Sequence, residues 1–172
     1  DAATAAAVAA VGQPCSAVSF GGRGGSATQM SLHDGVGDGA AEELPAGWHS
    51  VEDDFISVKV VVTPCRSDKS RRGIVPHGHL SDGRMYLVLV RKCGHIGYIR
   101  FLIHMSANGL TDRCFPFVRV IPVTAVRARP VGHESSWNVD GELLSHNSVD
   151  IEVDHAAVDV FARGVELVAP LA

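Results

Sequence analysis

Residues 84–91 read Arg-Met-Tyr-Leu-Val-Leu-Val-Arg, and this stretch is apolar at nearly every position. Alternate residues of a β-strand point to opposite faces of the sheet. Both sets are apolar here, with Met85, Leu87 and Leu89 on one face and Tyr86, Val88 and Val90 on the other. A strand that is apolar on both faces is usually covered on both faces. We therefore predict a central, doubly covered strand.

The flanking segments predict a mainly β fold. Residues 55–63 contain a β-branched run that ends at Pro64, which is typical of a buried strand. Five further short strands are predicted at residues 117–121, 123–129, 136–139, 149–153 and 158–163. Many short strands at close spacing favour an antiparallel β-sandwich.

One segment departs from the strand pattern and indicates a helix. Ile96, Ile99, Leu102 and Ile103 fall at helical spacing, which predicts one helix over residues 94–105. Asn108-Gly109 follows this segment and supplies a typical helix stop. The predicted fold is thus an antiparallel β-sandwich with one helix attached.

The first 47 residues are organised differently. Residues 1–14 are rich in Ala and are predicted to be a tail, and residues 15–20 are a possible first strand. Residues 21–47 are rich in Gly, Ala, Ser and Asp, and such a segment buries too little apolar surface to offset its ordering entropy. We predict a disordered, low-complexity insertion there, followed by a β-sandwich domain at residues 48–168.

Composition and charge exclude several classes of protein. The formal net charge of the 172 residues is -4, and no basic stripe of the kind that binds nucleic acid is evident. No apolar run approaches the roughly 18 residues of a membrane span. The four cysteines are far apart, and neither they nor the nine histidines match zinc spacing. Reduced thiols and a cytosolic location are the simplest interpretation. Since the chain begins with Asp1, we expect it to be a piece of a longer protein.

The segment Asp140-Gly141-Glu142 is the first candidate site. Asp-Gly between apolar strands is a strong hairpin signal, because a tight turn needs positive φ. A purely structural hairpin is therefore one interpretation. The other is functional, since a glycine turn lets the backbone approach a ligand and flanking carboxylates bind Mg²⁺ beside phosphates. The three residues alone do not separate these alternatives.

Two loops before the central strand carry weaker signals. His79-Leu80-Ser81-Asp82-Gly83 has Asp and Gly where turns usually place them, and it is also a candidate loop for a cation held by oxygens. A basic loop contains Arg66, Lys69, Arg71 and Arg72. It is either a solvated loop or a contact to anionic lipid headgroups or nucleotide phosphate.

Several motifs in this order resemble the C-terminal half of the ceramide kinase branch of the diacylglycerol/sphingosine/ceramide lipid kinase family. The resemblance spans roughly residues 48–166. Its motifs are Arg72-Gly73-Ile74-Val75-Pro76, His79-Leu80-Ser81-Asp82-Gly83, Arg91-Lys92-Cys93, Phe101-Leu102-Ile103 and Trp137-Asn138-Val139-Asp140-Gly141-Glu142.

The resemblance implies the C-terminal β-sandwich lobe of a two-lobe lipid kinase that uses ATP and Mg²⁺. It implies nucleotide binding by Asp140, Gly141 and Glu142, and a structural Mg²⁺ at Asp82. Glu142 is the catalytic candidate in this chain, although the main base of this branch is expected in a Gly-Gly-Asp-Gly loop of the missing N-terminal lobe. This chain has no such loop, so we expect it to be inactive alone.

The function implied by the resemblance is phosphorylation of the primary hydroxyl of ceramide to ceramide 1-phosphate. A ceramide or related lipid substrate implies a cytoplasmic protein that associates peripherally with intracellular membranes. Two alternatives stay open. One is a kinase that acts on sphingosine or diacylglycerol, and the other is a non-catalytic β-sandwich that binds a lipid or a partner.

Overall fold

The computed structural model describes residues 7–11, 16–21, 47–64, 66–130, 136–144, 148–159 and 161. These parts of the chain contain ten strands and one helix. The elements are β1 (Ala7–Val11), β2 (Ser16–Gly21), β3 (Trp48–Asp53), β4 (Phe55–Val61), β5 (Met85–Arg91), α1 (His95–Asn108), β6 (Val118–Val123), β7 (Ala125–Pro130), β8 (Ser136–Val139), β9 (Glu142–Leu144) and β10 (Val149–Glu152).

The strands form two antiparallel sheets. The first sheet has the order β6-β5-β4-β1-β8-β9, and the second has the order β10-β7-β2-β3. Every strand pair in both sheets is antiparallel. The chain passes from the first sheet to the second between β6 and β7, with only Thr124 between them.

One apolar core lies between the two sheets. The first sheet contributes side chains from β4, β5, the end of β6 and β8, and the second contributes from β7, with partly buried residues of β3 and β10 packed against them. The buried members are Phe55, Val58, Val60, Met85, Leu87, Leu89, Val123, Val126, Ala128 and Trp137. This arrangement confirms the predicted antiparallel β-sandwich.

A second core covers the other face of the first sheet. Its buried members are Val61, Val75, Val88, Val90, Phe101, Leu110, Val118 and Val120. Phe101 of α1 is fully buried and lies against Tyr98, Phe115 and Phe117 at ring-centroid distances of 5.7, 6.3 and 6.4 Å. The side chains on the two faces of β5 therefore lie in two different cores. The prediction of a doubly covered central strand is confirmed.

The first residues of the chain differ from the prediction. The predicted tail, residues 1–14, contains strand β1, which pairs with β4 on one side and β8 on the other. Backbone hydrogen bonding to two neighbours fixes this Ala-rich segment in the sheet, so a tail is wrong for residues 7–11. The possible strand at residues 15–20 is observed as β2, shifted by one residue. Residues 22–46 of the predicted insertion lie outside the described residues.

The helix is present, but the apolar residues that predicted it do not face the sheet. It runs from His95 to Asn108, three residues beyond the predicted range, and stops at the predicted Asn108-Gly109 signal, where Gly109 at φ 73 donates its N–H to the Met105 carbonyl. The residues that predicted the helix, Ile96, Ile99, Leu102 and Ile103, are exposed. The aromatic contacts of Phe101 hold the opposite side of the helix against the sheet.

The predicted strand at residues 158–163 is not observed at Val158 and Asp159. Most of the remainder of that segment lies outside the described residues.

Cys93 and Cys114 are free thiols. In the parts of the chain that are described, no helix is both long and apolar enough to cross a membrane.

Candidate functional site

The Asp140-Gly141 segment forms the two-residue turn of a hairpin between β8 and β9. Asp140 has φ 51 and Gly141 has φ 97, and positive φ at both central residues is characteristic of a type I′ turn. Val139 and Glu142 are directly paired at the base of this turn. The hairpin predicted from the sequence is thus confirmed, and its turn carries the candidate carboxylates.

A side chain within the hairpin fixes the turn. Asn138 Oδ1 accepts a hydrogen bond of 2.9 Å from the backbone N–H of Gly141. Its neighbour Trp137 is buried in the core between the sheets and anchors β8. Asp140, Gly141 and Glu142 are exposed, so a rigidly supported turn presents two carboxylates and an open glycine to solvent.

This donor set fits magnesium in a nucleotide site. Magnesium is usually bound through one or two carboxylates together with substrate phosphates and water. An open glycine between the carboxylates also lets a ligand approach, since a Cβ atom at Gly141 would meet no atom within 4 Å. The residue types at the turn are thus ones that magnesium takes as ligands, and nucleotide binding there stays a prediction.

Sequence reasoning missed Lys59, which lies on the same face of the first sheet as Asn138. Ala9 pairs with Lys59 on one side and with Asn138 on the other, so all three lie in one row across the strands. Directly paired residues of neighbouring strands point to the same face. The backbones of Lys59 and Asn138 are two strand spacings, about 10 Å, apart.

Lys59 has an unusual environment for a lysine. Burial lowers the pKa of its ammonium group, because desolvation disfavours the charged form. It is the one charged residue of strand β4, whose sequence is Phe-Ile-Ser-Val-Lys-Val-Val. A single lysine inside an apolar strand is a signal that the sequence already contained. A partly buried cation of this kind is suited to an anionic ligand.

The Asp82 loop is held by its own hydrogen bonds. The Asp82 carboxylate accepts bonds from the N–H of His79 at 3.3 Å, the N–H of Arg84 at 2.8 Å and the hydroxyl of Tyr86 at 2.8 Å. His79 Nδ1 lies 2.7 Å from the hydroxyl of Ser81. These bonds account for the position of Asp82 without a metal ion, and magnesium at this loop stays a prediction.

The Asp82 loop and the hairpin turn lie at the same end of the first sheet. Tyr86 pairs with Val61, and Val61 pairs with Ala7. The neighbour of Ala7 along β1, Val8, pairs with Val139 just before the turn. The two loops are therefore about three strand spacings, or about 14 Å, apart. The two loops therefore lie at one end of the sheet, but they are too far apart to bind one ion together.

Within the described ranges, no group of three or more His, Cys, Asp or Glu side chains is arranged to hold a metal ion.

The sequence is similar to those of known ceramide kinases. A family model described as the ceramide kinase C-terminal domain matches residues 16–136. A ceramide kinase of Oryza sativa subsp. japonica is 34% identical over 113 residues, which cover 66% of this chain and 19% of that protein. A ceramide kinase of Homo sapiens is 30% identical over 158 residues, which cover 74% of this chain and 29% of that protein.

A solved structure is also similar. A diacylglycerol kinase from Bacillus anthracis str. Sterne has a TM-score of 0.47 and 11% sequence identity, over 86% of this chain and 47% of that one. The chain spans 19% to 29% of the length of the two ceramide kinases. The family model covers well over half of the chain, and the chain therefore belongs to the ceramide kinase C-terminal domain family.

Proposed function

We propose that this chain is the C-terminal part of an ATP-dependent lipid kinase that phosphorylates the primary hydroxyl of ceramide. The observation that carries the proposal is the hairpin turn, in which Asn138 holds Gly141 and leaves the Asp140 and Glu142 carboxylates exposed. Membership of the ceramide kinase C-terminal domain family supports ceramide over other lipids.

The turn suits phosphoryl transfer because that reaction depends mainly on positioning and on neutralising phosphate charge. Bound magnesium would supply the charge neutralisation at the phosphates. Asp140 and Glu142 would hold it from the sandwich side, and Gly141 would let the phosphates approach the backbone. The fixed type I′ geometry supports this role, since a preorganised site needs no rearrangement when the ligand binds.

Lys59 adds a positive group on the face of the first sheet that it shares with Asn138, whereas Glu142 pairs with Val139 and lies on the opposite face. Its partly buried ammonium is expected to orient the nucleotide phosphates, because a charge in a less hydrated environment acts more strongly than an exposed one. The proposed half-site thus has two carboxylates at the turn and one lysine two strands away. The carboxylates would hold the cation, and the ammonium group of Lys59 would contact a phosphate oxygen.

The proton of the lipid hydroxyl needs a base in addition to this half-site. Glu142 is the candidate base within this chain, and the main base is expected in an N-terminal lobe that precedes it. An exposed carboxylate beside a glycine turn is suited first to holding magnesium and the nucleotide. We therefore propose Glu142 as a nucleotide-binding residue before a base.

The test is transfer of radiolabelled phosphate from ATP by the full-length protein, measured with ceramide, sphingosine and diacylglycerol. We expect transfer to ceramide, and we expect Glu142→Gln to lower kcat/KM by at least about tenfold. Glu152→Gln is the matched control, because Glu152 is an exposed glutamate on the second sheet.

Three outcomes would contradict parts of the proposal. If the full-length protein preferred sphingosine or diacylglycerol, that lipid and not ceramide would be its substrate. An unchanged kcat/KM in Glu142→Gln would remove the proposed role of that residue. No transfer to any of the three lipids, in a full-length protein without an upstream Gly-Gly-Asp-Gly loop, would favour a non-catalytic lipid-binding or partner-binding sandwich.

A further inference from the structure

The outward side of helix α1 is an exposed apolar stripe. Ile96, Ile99 and Ile103 are 77%, 56% and 64% exposed, and their spacing of three and four residues places them in one row along the helix. Leu102, which is 38% exposed, borders this row. Single exposed apolar residues are common, whereas a contiguous exposed apolar patch is a candidate interaction site.

The stripe is a separate feature from the packed side of the helix. Phe101 is fully buried on the opposite side and holds the helix to the first sheet through aromatic contacts. The helix is therefore already anchored, and the isoleucines contribute little to its attachment. One apolar side of the helix packs on the sheet, and the second apolar side is not needed for that packing.

A basic loop lies at the C-terminal end of the stripe. Ser106 follows Ile103 by three residues, and its hydroxyl donates a hydrogen bond of 3.0 Å to the backbone carbonyl of Lys69. Ser67 and Ser70 exchange two backbone hydrogen bonds of 3.0 Å and give this loop a defined turn. The hydrogen bond from Ser106 thereby places the backbone of this loop next to the helix.

The two segments that carry the stripe and the basic loop are rich in positive charge. Residues 66–72 and 92–108 together contain Arg66, Lys69, Arg71, Arg72, Lys92 and Arg100, and Asp68 is the one acidic residue in these segments. All of these basic residues are exposed. The whole chain carries a net charge of -4, so this concentration of positive charge is local to the two segments.

We propose that the stripe Ile96, Ile99, Leu102 and Ile103, together with the basic loop at residues 66–72, docks on an anionic lipid bilayer. A helix with an apolar row and basic flanks is suited to lie in the interface plane, where isoleucines enter the acyl boundary and lysines and arginines contact headgroups. A second copy of the chain is a poorer occupant, because a self-paired interface would oppose two basic surfaces.

This inference is independent of the proposed kinase function. Bilayer docking requires neither ATP nor ceramide, and the hairpin turn of Asp140 and Gly141 plays no part in it. A negative phosphotransfer result would not contradict the proposed docking surface. A negative vesicle-binding result would not contradict the proposed nucleotide half-site.

The test is cosedimentation of the 172-residue chain with phosphatidylcholine vesicles, with and without phosphatidylserine, in the absence of ATP and ceramide. We expect binding to the anionic vesicles that weakens with added salt. The double variant Ile99→Ser with Ile103→Ser should bind at least about tenfold more weakly, since less apolar area is buried in the bilayer.

The matched control is the double variant Leu143→Ser with Val158→Ser, because these side chains are 73% and 76% exposed and lie outside the helix. It should bind vesicles like the unaltered chain, and circular dichroism should show the same fold in all three proteins. Equal vesicle binding by the stripe variant and the control would overturn the proposal. A dimer in solution that the stripe variant abolishes, without vesicle binding, would also overturn it.

Discussion

The hydroxyl of Tyr86 donates a hydrogen bond of 2.8 Å to Asp82 Oδ2 and so ties the Asp82 loop to strand β5. The other carboxylate oxygen accepts the N–H of Arg84 at 2.8 Å. Burial, followed by this hydrogen bond and the negative charge of Asp82, raises the pKa of Tyr86 from 10.0 to about 12. The loop is thus held by a phenol that keeps its proton.

Tyr86→Phe is expected to lower the free energy of unfolding at neutral pH by about 1 kcal/mol, because one bond to a charged acceptor is lost. The native pKa of about 12 lies above the ordinary 10.0, so the native state binds the phenol proton more tightly than the unfolded state. This contribution is complete below about pH 10 and is lost as the pH rises through about 12.

Urea unfolding of both proteins at several pH values between about 8 and 12 measures this difference. The difference in unfolding free energy between the two proteins should shrink toward the alkaline end. A difference that stays constant across this range would show that the hydrogen bond to Asp82 does not control the proton of Tyr86.

The central strand was predictable from the sequence because its information is local. Alternation between Leu87 and Val88 reports two apolar faces directly, and the two cores fill those faces. The hairpin turn was predictable for the same reason, since Asp140-Gly141 encodes its own positive φ values. Where a segment specifies its own geometry, the pattern is sufficient.

Other features depend on contacts between distant segments. Residues 7–11 read as an Ala-rich tail, yet backbone pairing with β4 and β8 makes them a strand. Helical spacing located α1 but not its inward side, which depends on Phe115 and Phe117 from a later segment. The alignment of Lys59 with Asn138 arises only when β1 lies between their strands. None of these contacts is local in sequence.

The two sides of helix α1 should differ sharply in their effect on stability. Phe101→Ala is expected to lower the free energy of unfolding by about 3–5 kcal/mol, because a fully buried ring leaves a cavity among three aromatic neighbours. Ile99→Ala should change it by less than about 0.5 kcal/mol, since Ile99 is 56% exposed.

Chemical unfolding of the two helix variants beside the unaltered chain gives both values. Comparable losses would mean that the isoleucine row, and not the aromatic cluster, attaches the helix to the sheet. That result would also remove the basis for a free outward side.

Two glycines with positive φ should respond differently to alanine. A Cβ atom at Gly141 would meet nothing within 4 Å, so Gly141→Ala carries only the backbone cost of about 1 kcal/mol. A Cβ atom at Gly73 would lie 1.9 Å from the carbonyl oxygen of Pro64. That oxygen also accepts the N–H of Ile74 at 2.7 Å, so Gly73→Ala should cost more than about 3 kcal/mol.

Thermal unfolding of the two glycine variants tests this contrast. The melting temperature should fall modestly for Gly141→Ala and strongly for Gly73→Ala. Similar decreases in both would indicate that backbone strain alone, and not the contact with Pro64, governs the cost at Gly73.

Lys59→Met should stabilise the fold while weakening nucleotide binding. Burial lowers the pKa of Lys59 below its ordinary 10.5, so the native state binds this proton less tightly than the unfolded state. The resulting penalty is present at neutral pH and is relieved as the pH rises toward 10.5. Removing the charge should therefore raise the free energy of unfolding by about 1 kcal/mol at neutral pH, and less at alkaline pH.

In the full-length protein, the same substitution should raise the KM for ATP by about tenfold if the ammonium contacts phosphate. Lys92→Met is the matched control, because Lys92 is exposed and should change neither stability nor KM. A more stable Lys59→Met protein with an unchanged KM would assign this lysine to the sheet alone. The opposite pairing, lower stability with a raised KM, would mean that the KM change reflects damage to the strand. Higher stability together with weaker nucleotide binding would identify Lys59 as a destabilising buried cation that binds an anionic ligand.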